Sequence, residues 1–171
     1  MRLKGIEAEN FENYKDPALF LAFPKCDFKC CREVGSTICQ NSALANEPDI
    51  EIGVDTIVNL FMNNPITRAI VCGGLEPFES CADLVELIRK LRQKTLAPVI
   101  IYTGYTEEEI HSIEYTDDIS KKNVFNILNN IENIIIKFGR FIPNMDKHFD
   151  EVLGVNLASP NQYAKQIGVE I

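Results

Sequence analysis

Four short apolar runs constrain this chain more than anything else in it. They are Ala18-Leu19-Phe20-Leu21-Ala22-Phe23, Ala69-Ile70-Val71-Cys72, Pro98-Val99-Ile100-Ile101-Tyr102 and Ile134-Ile135-Ile136. None alternates with polar residues. Each therefore reads as a strand buried on both faces, as in a parallel sheet covered by helices. The spacers are long enough for right-handed crossovers, and they carry helical periodicity. Val54, Ile57, Val58, Phe61 and Met62 recur at one-face spacing, with Asp55 in the first turn and Asn63-Asn64-Pro65 as the stop. Ser80-Cys81-Ala82-Asp83 resembles a capping box ahead of Leu84, Leu87, Ile88 and Leu91. Thr106 with Glu109 is a second capping box, opening a shorter helix through Ile110 and Ile113. Val124, Ile127, Leu128 and Ile131 mark a fourth helix. Leu3 to Phe11 predicts an edge strand, Asn41 to Ile52 an irregular segment, and Val152 to Leu157 a last apolar run. This rhythm predicts one α/β domain, residues 1–171, built on a mostly parallel sheet.

Composition narrows the function classes. The chain is 46% hydrophobic and 25% charged, the balance of an ordinary globule. Its net charge of −8 argues against a nucleic-acid binder and against adhesion to anionic membranes. No apolar run approaches a bilayer span, and the N-terminus lacks the apolar core of a signal peptide. The expected location is the cytoplasm, where thiols stay reduced, so the six cysteines do not read as a disulfide framework. Four of them, Cys26, Cys30, Cys31 and Cys39, fall within fourteen residues after the first apolar run. Crowded thiolates repel one another, and a zinc ion or an iron–sulfur cluster is the usual compensation. In parallel α/β sheets ligands gather at the carboxyl ends of the strands. Each unusual motif follows a strand: the cysteines, Gly73-Gly74, Thr103-Gly104-Tyr105 and Gly139-Arg140-Phe141.

Cys26-x3-Cys30 with a further cysteine resembles the cluster loop of the radical S-adenosylmethionine superfamily. Gly73-Gly74-Leu75-Glu76-Pro77 is similar to that family's Gly-Gly-Glu-Pro segment. Tyr102-Thr103-Gly104-Tyr105-Thr106, Gly139-Arg140-Phe141-Ile142 and Ser159-Pro160-Asn161-Gln162 resemble the third-strand, fourth-strand and C-terminal signatures of the activating proteins of anaerobic ribonucleotide reductase. Cys39-Gln40-Asn41 resembles their Cys-His-Asn ending, with Arg32 to Ile38 as an enlarged loop. The resemblance implies an incomplete parallel βα barrel. It implies Cys26, Cys30 and Cys39 as ligands of a [4Fe–4S] cluster, and Gly73, Gly74, Glu76, Thr103 and Gly104 as contacts of S-adenosyl-L-methionine. It implies an oxidoreductase that makes a 5′-deoxyadenosyl radical and installs a glycyl radical on a large partner, with flavodoxin or ferredoxin as electron donor.

Other readings stand beside these. Another small radical enzyme acting on a metabolite or peptide fits the same motifs. A structural zinc module also fits the cysteines, with Cys31 as fourth donor. Cys31 otherwise reads as a bystander, and Cys72 and Cys81 as core fillers. His111 and His148 read as exposed. Asn161 and Gln162 have a simple capping reading. Arg140 has two readings: a partner for a ligand carboxylate, or a solvated side chain. No binding role attaches to Lys137 or Phe138, which precede Gly139 where the family carries an acid.

Overall fold

The structure is a computed structural model that describes residues 1–112 and 121–168. Ile113, expected at the end of a helix, lies outside those residues.

The four apolar runs form β3 (Ala18–Phe23), β5 (Ala69–Gly74), β6 (Val99–Tyr102) and β7 (Ile134–Phe138). They pair in parallel, in that order. Two antiparallel strands flank them. β2 (Gly5–Asn10) pairs with β3, and β10 (Tyr163–Ile167) pairs with β7. The six-stranded order is β10-β7-β6-β5-β3-β2, a mixed and mostly parallel sheet. Two small antiparallel pairs complete the strands: β1 (Arg2–Leu3) with β4 (Ile50–Glu51), and β8 (His148–Asp150) with β9 (Val155–Leu157).

Period-two geometry sorts each strand's side chains onto two faces. Leu19, Leu21, Phe23, Ile70, Cys72, Val99, Ile101, Ile134, Ile136 and Phe138 join the larger core cluster. That face is covered by α2 (Val54–Asn63), α3 (Cys81–Arg92) and α5 (Lys121–Leu128). Ala18, Ala69, Val71, Ile100 and Ile135 face the other way, under Tyr14, Leu153 and Leu157. The helices thus lie on one side, and the far side leaves room for a site. α4 (Glu107–Ser112) follows β6, and α1 (Lys29–Val34) lies in the cysteine loop.

Most periodic helices match expectation, with local departures. Met62 is exposed, so the apolar stripe of α2 ends at Phe61. Leu84, Leu87, Ile88 and Leu91 are all buried in α3. Ser80 starts α3 but makes no side-chain cap, because a 3-10 turn over Pro77–Ser80 runs straight into the helix. The cap is made earlier, where the Glu76 carboxylate accepts from the Phe78 N–H. The second capping box is formed in both directions: Thr106 N–H donates to Glu109, and Glu109 N–H donates to Thr106 Oγ1. α5 stops at Leu128, before Ile131, and buries Phe125 instead. The segment expected to be irregular holds a 3-10 turn, Ser42–Asn46, and β4.

Candidate functional site

The cysteine loop is built from both of its ends. Where it leaves β3, Lys25 O accepts from the Glu76 N–H at 2.7 Å. The stretch just before Cys26 is thereby bound to the loop that follows β5. Phe28 takes a left-handed φ of 53° and turns the chain into α1. Its N–H donates to Cys26 Sγ at 3.2 Å. Cys30 and Cys31 then fall on the same short helix, about 100° apart around its axis. Cys30 lines the cleft described below and Cys31 does not, although their sulfurs lie 3.9 Å apart. The backbone N–H groups of Cys39 and Ile38 lower the Cys31 thiol below its ordinary range. Burial pushes Cys26 up to about 11. Burial and the neighbouring Cys31 push Cys30 up to about 12. At the far end of the loop, Asn41 Nδ2 donates to Gly74 O at 2.7 Å.

Cys26, Cys30 and Cys39 share one cleft of about 550 Å³ with Gly73, Gly74, Glu76, Thr103 and Gly104. All eight residues singled out from the sequence therefore meet at the carboxyl ends of β3, β5 and β6. A larger hollow of about 990 Å³ lies on the helical side, between α3 and α5, and contains none of them.

The glycines of β5 are demanded by the chain itself. A Cβ on Gly73 would lie 2.9 Å from the Phe20 ring, and one on Gly74 would lie 2.7 Å from Ala22 Cα. Gly74 also has a φ of 79°, where L side chains are strained. The turn that carries the cleft floor is thus pressed against β3.

Glu76 is 4% exposed and fully engaged. Its Oε1 accepts from Thr103 Oγ1 at 2.8 Å and from the Phe78 N–H at 3.1 Å. Its Oε2 accepts from the Gly104 N–H at 2.8 Å. Burial raises its carboxyl to about 7, against the opposing pull of those donors. Glu76 is therefore a brace that locks the loop after β5 to the loop after β6. Thr103 Oγ1 is consumed in the same brace, since it also accepts from the Tyr105 N–H.

Arg140 follows neither reading taken from the sequence. Its guanidinium grips Glu33 at 2.8 and 3.0 Å and Glu109 at 2.8 and 2.5 Å, and donates to Gly104 O at 3.1 Å. Lys29 pairs with Glu109 as well. Burial opposes ionisation of Glu109, but Lys29, the Thr106 N–H and Arg140 hold its carboxyl below the usual range. This network ties α1 to α4 and to the end of β7.

Three residues exceed what the sequence suggested. Gln162 is buried, receives the N–H groups of Ala158 and Ser159, and donates to Gly139 O. His148 is half-buried, not exposed, and among the described residues its Nδ1 has no hydrogen-bond partner. Lys137 is buried on the cleft floor. Its signal was a lone charge inside the run Ile134-Ile135-Ile136-Lys137-Phe138.

Residues 18–152 match the model of a family described as a 4Fe-4S single cluster domain. The chain belongs to this family. No curated protein matches it. The donors fit what the 4Fe-4S single cluster domain implies, which is an iron–sulfur protein: soft thiols, three of them on one cleft, at the end of a rigid sheet. Among the described residues no three or more His, Cys, Asp or Glu side chains converge on a single-ion site. A four-iron cube holds its thiolates at separate corners, whereas a structural zinc draws four donors to one centre. Among the described residues, no helix is long and apolar enough to cross a membrane.

Proposed function

We propose that this protein is a radical enzyme that cleaves S-adenosyl-L-methionine reductively. We further propose that it acts on a glycine of a large partner enzyme, of the kind represented by anaerobic ribonucleotide reductase. One observation carries the reading: three cysteines, Cys26, Cys30 and Cys39, join the glycine turn and the Thr103-Gly104 loop in the lining of one cleft. Three protein ligands leave one iron of a four-iron cube without a side chain, as an open catalytic metal site requires.

On this reading Cys26, Cys30 and Cys39 hold the cluster. The Gly73-Gly74 turn and the Gly104 loop form the adjoining bed, and Glu76 sets the distance between them. When bound, the cluster and S-adenosylmethionine supply one-electron scission of a carbon–sulfur bond, giving methionine and a 5′-deoxyadenosyl radical. The cleft lining sets Glu7, Glu12 and Glu76 against Lys137, and its Arg140 is committed to Glu33 and Glu109. An acid-rich lining suits a ligand whose sulfonium and ammonium outweigh its carboxylate. The sheet would form part of a barrel, with the docked partner closing the open side and excluding water. A flavodoxin or ferredoxin would deliver the electron.

The test is oxygen-free reconstitution with iron and sulfide, then chemical reduction in the presence of S-adenosylmethionine. Brown protein that releases 5′-deoxyadenosine is the expected result. Cys39→Ala should lose its iron and Cys31→Ala should retain it; the reverse pattern reassigns the third ligand. Iron-loaded wild-type protein that releases no 5′-deoxyadenosine defeats the proposal. A glycyl radical signal on adding a candidate reductase identifies the partner class.

A further inference from the structure

Lys137 is the only lysine or arginine that is buried among the described residues, at 6% exposure. It lies on β7 opposite Tyr102, and its ammonium sits over the Tyr102 ring, 5.8 Å from the centroid. A buried ammonium costs free energy unless its protons are bonded or its charge is answered. Besides the Tyr102 ring, one hydrogen-bond acceptor answers it. Nζ donates to Gly139 O at 2.6 Å. That carbonyl already receives Gln162 Nε2 at 3.2 Å, so the fold does not need Lys137 to satisfy it. Among the described residues no carboxylate pairs with Lys137, and an ammonium carries three donors. The uncommitted protons lie in the same cleft as the cysteines and the glycine turn.

We propose that Lys137 anchors a carboxylate of a ligand bound in this cleft. The lining favours one negative charge over several, because Glu7, Glu12 and Glu76 share the same walls. Burial also lowers the lysine to about 8, and Glu76 pulls it back up, so it is still largely protonated at neutral pH. Two carboxylates answer the description: the amino-acid end of S-adenosylmethionine, which rests on the function proposed above, or a separate small acid bound beside it.

The experiment measures binding calorimetrically on oxygen-free, iron-loaded protein in the oxidised state, so that no turnover is needed. The probes are S-adenosylmethionine and its decarboxylated analogue, which keeps the sulfonium and the amine. If Lys137 holds the cofactor's carboxylate, Lys137→Met weakens S-adenosylmethionine at least about tenfold and leaves the analogue unchanged, while Lys137→Arg restores part of the loss. If it holds a separate acid, both nucleosides bind the variant normally. Acetate titrated into the S-adenosylmethionine complex then binds the wild type and not Lys137→Met. Equal weakening of both nucleosides, or no change with any of the three probes, overturns the proposal. Wild-type protein that binds neither nucleoside defeats the functional reading itself. In that case acetate binding to the protein alone, lost in Lys137→Met, still supports the anchor, and its absence overturns it.

Discussion

A buried carboxyl at position 76 has a consequence that titration can read. Its proton is held up to about 7 in the folded chain, against 4.5 for an ordinary glutamate. Between those values the folded protein keeps a proton that the unfolded chain has released. Stability must therefore fall as pH rises through that window and level off above it, by about 3 kcal/mol from this group alone. Glu76→Gln removes that slope. Thermal midpoints of metal-free wild type and variant, compared from pH 4.5 to 7.5, should diverge in slope. Parallel curves would mean that the carboxyl titrates normally. Lys137 works in the opposite direction. Its folded value, about 8, lies below the 10.5 of a free lysine, so the burial cost is fully present below pH 8 and fades toward 10.5. Lys137→Met should melt no lower than wild type at pH 7, and its advantage should shrink in alkaline buffer; a marked loss of stability at pH 7 would mean that the fold does need this side chain. The two residues also mark what a sequence exposes. Glu76 was legible as a motif, but its role as a brace was not, because Thr103 and Gly104 are distant in the chain. Lys137 was noticed only as a departure from the resembled family's acid and so was given no binding role; its burial on the cleft comes from strand pairing that a local pattern does not show.

At the scale of elements, legibility followed periodicity. α2 and α3 were readable because each buries one apolar stripe on the sheet. The Thr106–Glu109 box was readable because both halves are local. α1 was not, because it has no buried residue and so no stripe. Its place depends on Lys29, Glu33, Glu109 and Arg140. Part-exposed ion pairs contribute about 1 kcal/mol or less each and weaken as salt screens them. Iron release from reconstituted protein to a chelator should accordingly quicken several-fold between low and molar salt. Arg140→Met should release iron quickly at both. A wild-type rate indifferent to salt would mean that something other than charge holds α1.

The whole molecule is a mostly parallel sheet with helices on one side and the cleft at one end. The parallel centre followed from the four apolar runs. The antiparallel flanks did not, since pairing direction is not written in a strand such as Tyr163–Ile167, whose side chains are largely polar and exposed. The cysteine loop belongs to this scale, because it is fastened at both ends to a single piece of the sheet's rim. Glu76 N–H holds Lys25, ahead of Cys26, and Gly74 O holds Asn41, just past Cys39. A nudge to that rim, from a docking partner or from heat, must carry both fastenings in the same direction. The triangle of sulfurs would travel as a unit, like a bucket swung by its handle, and keep its shape while its surroundings shift.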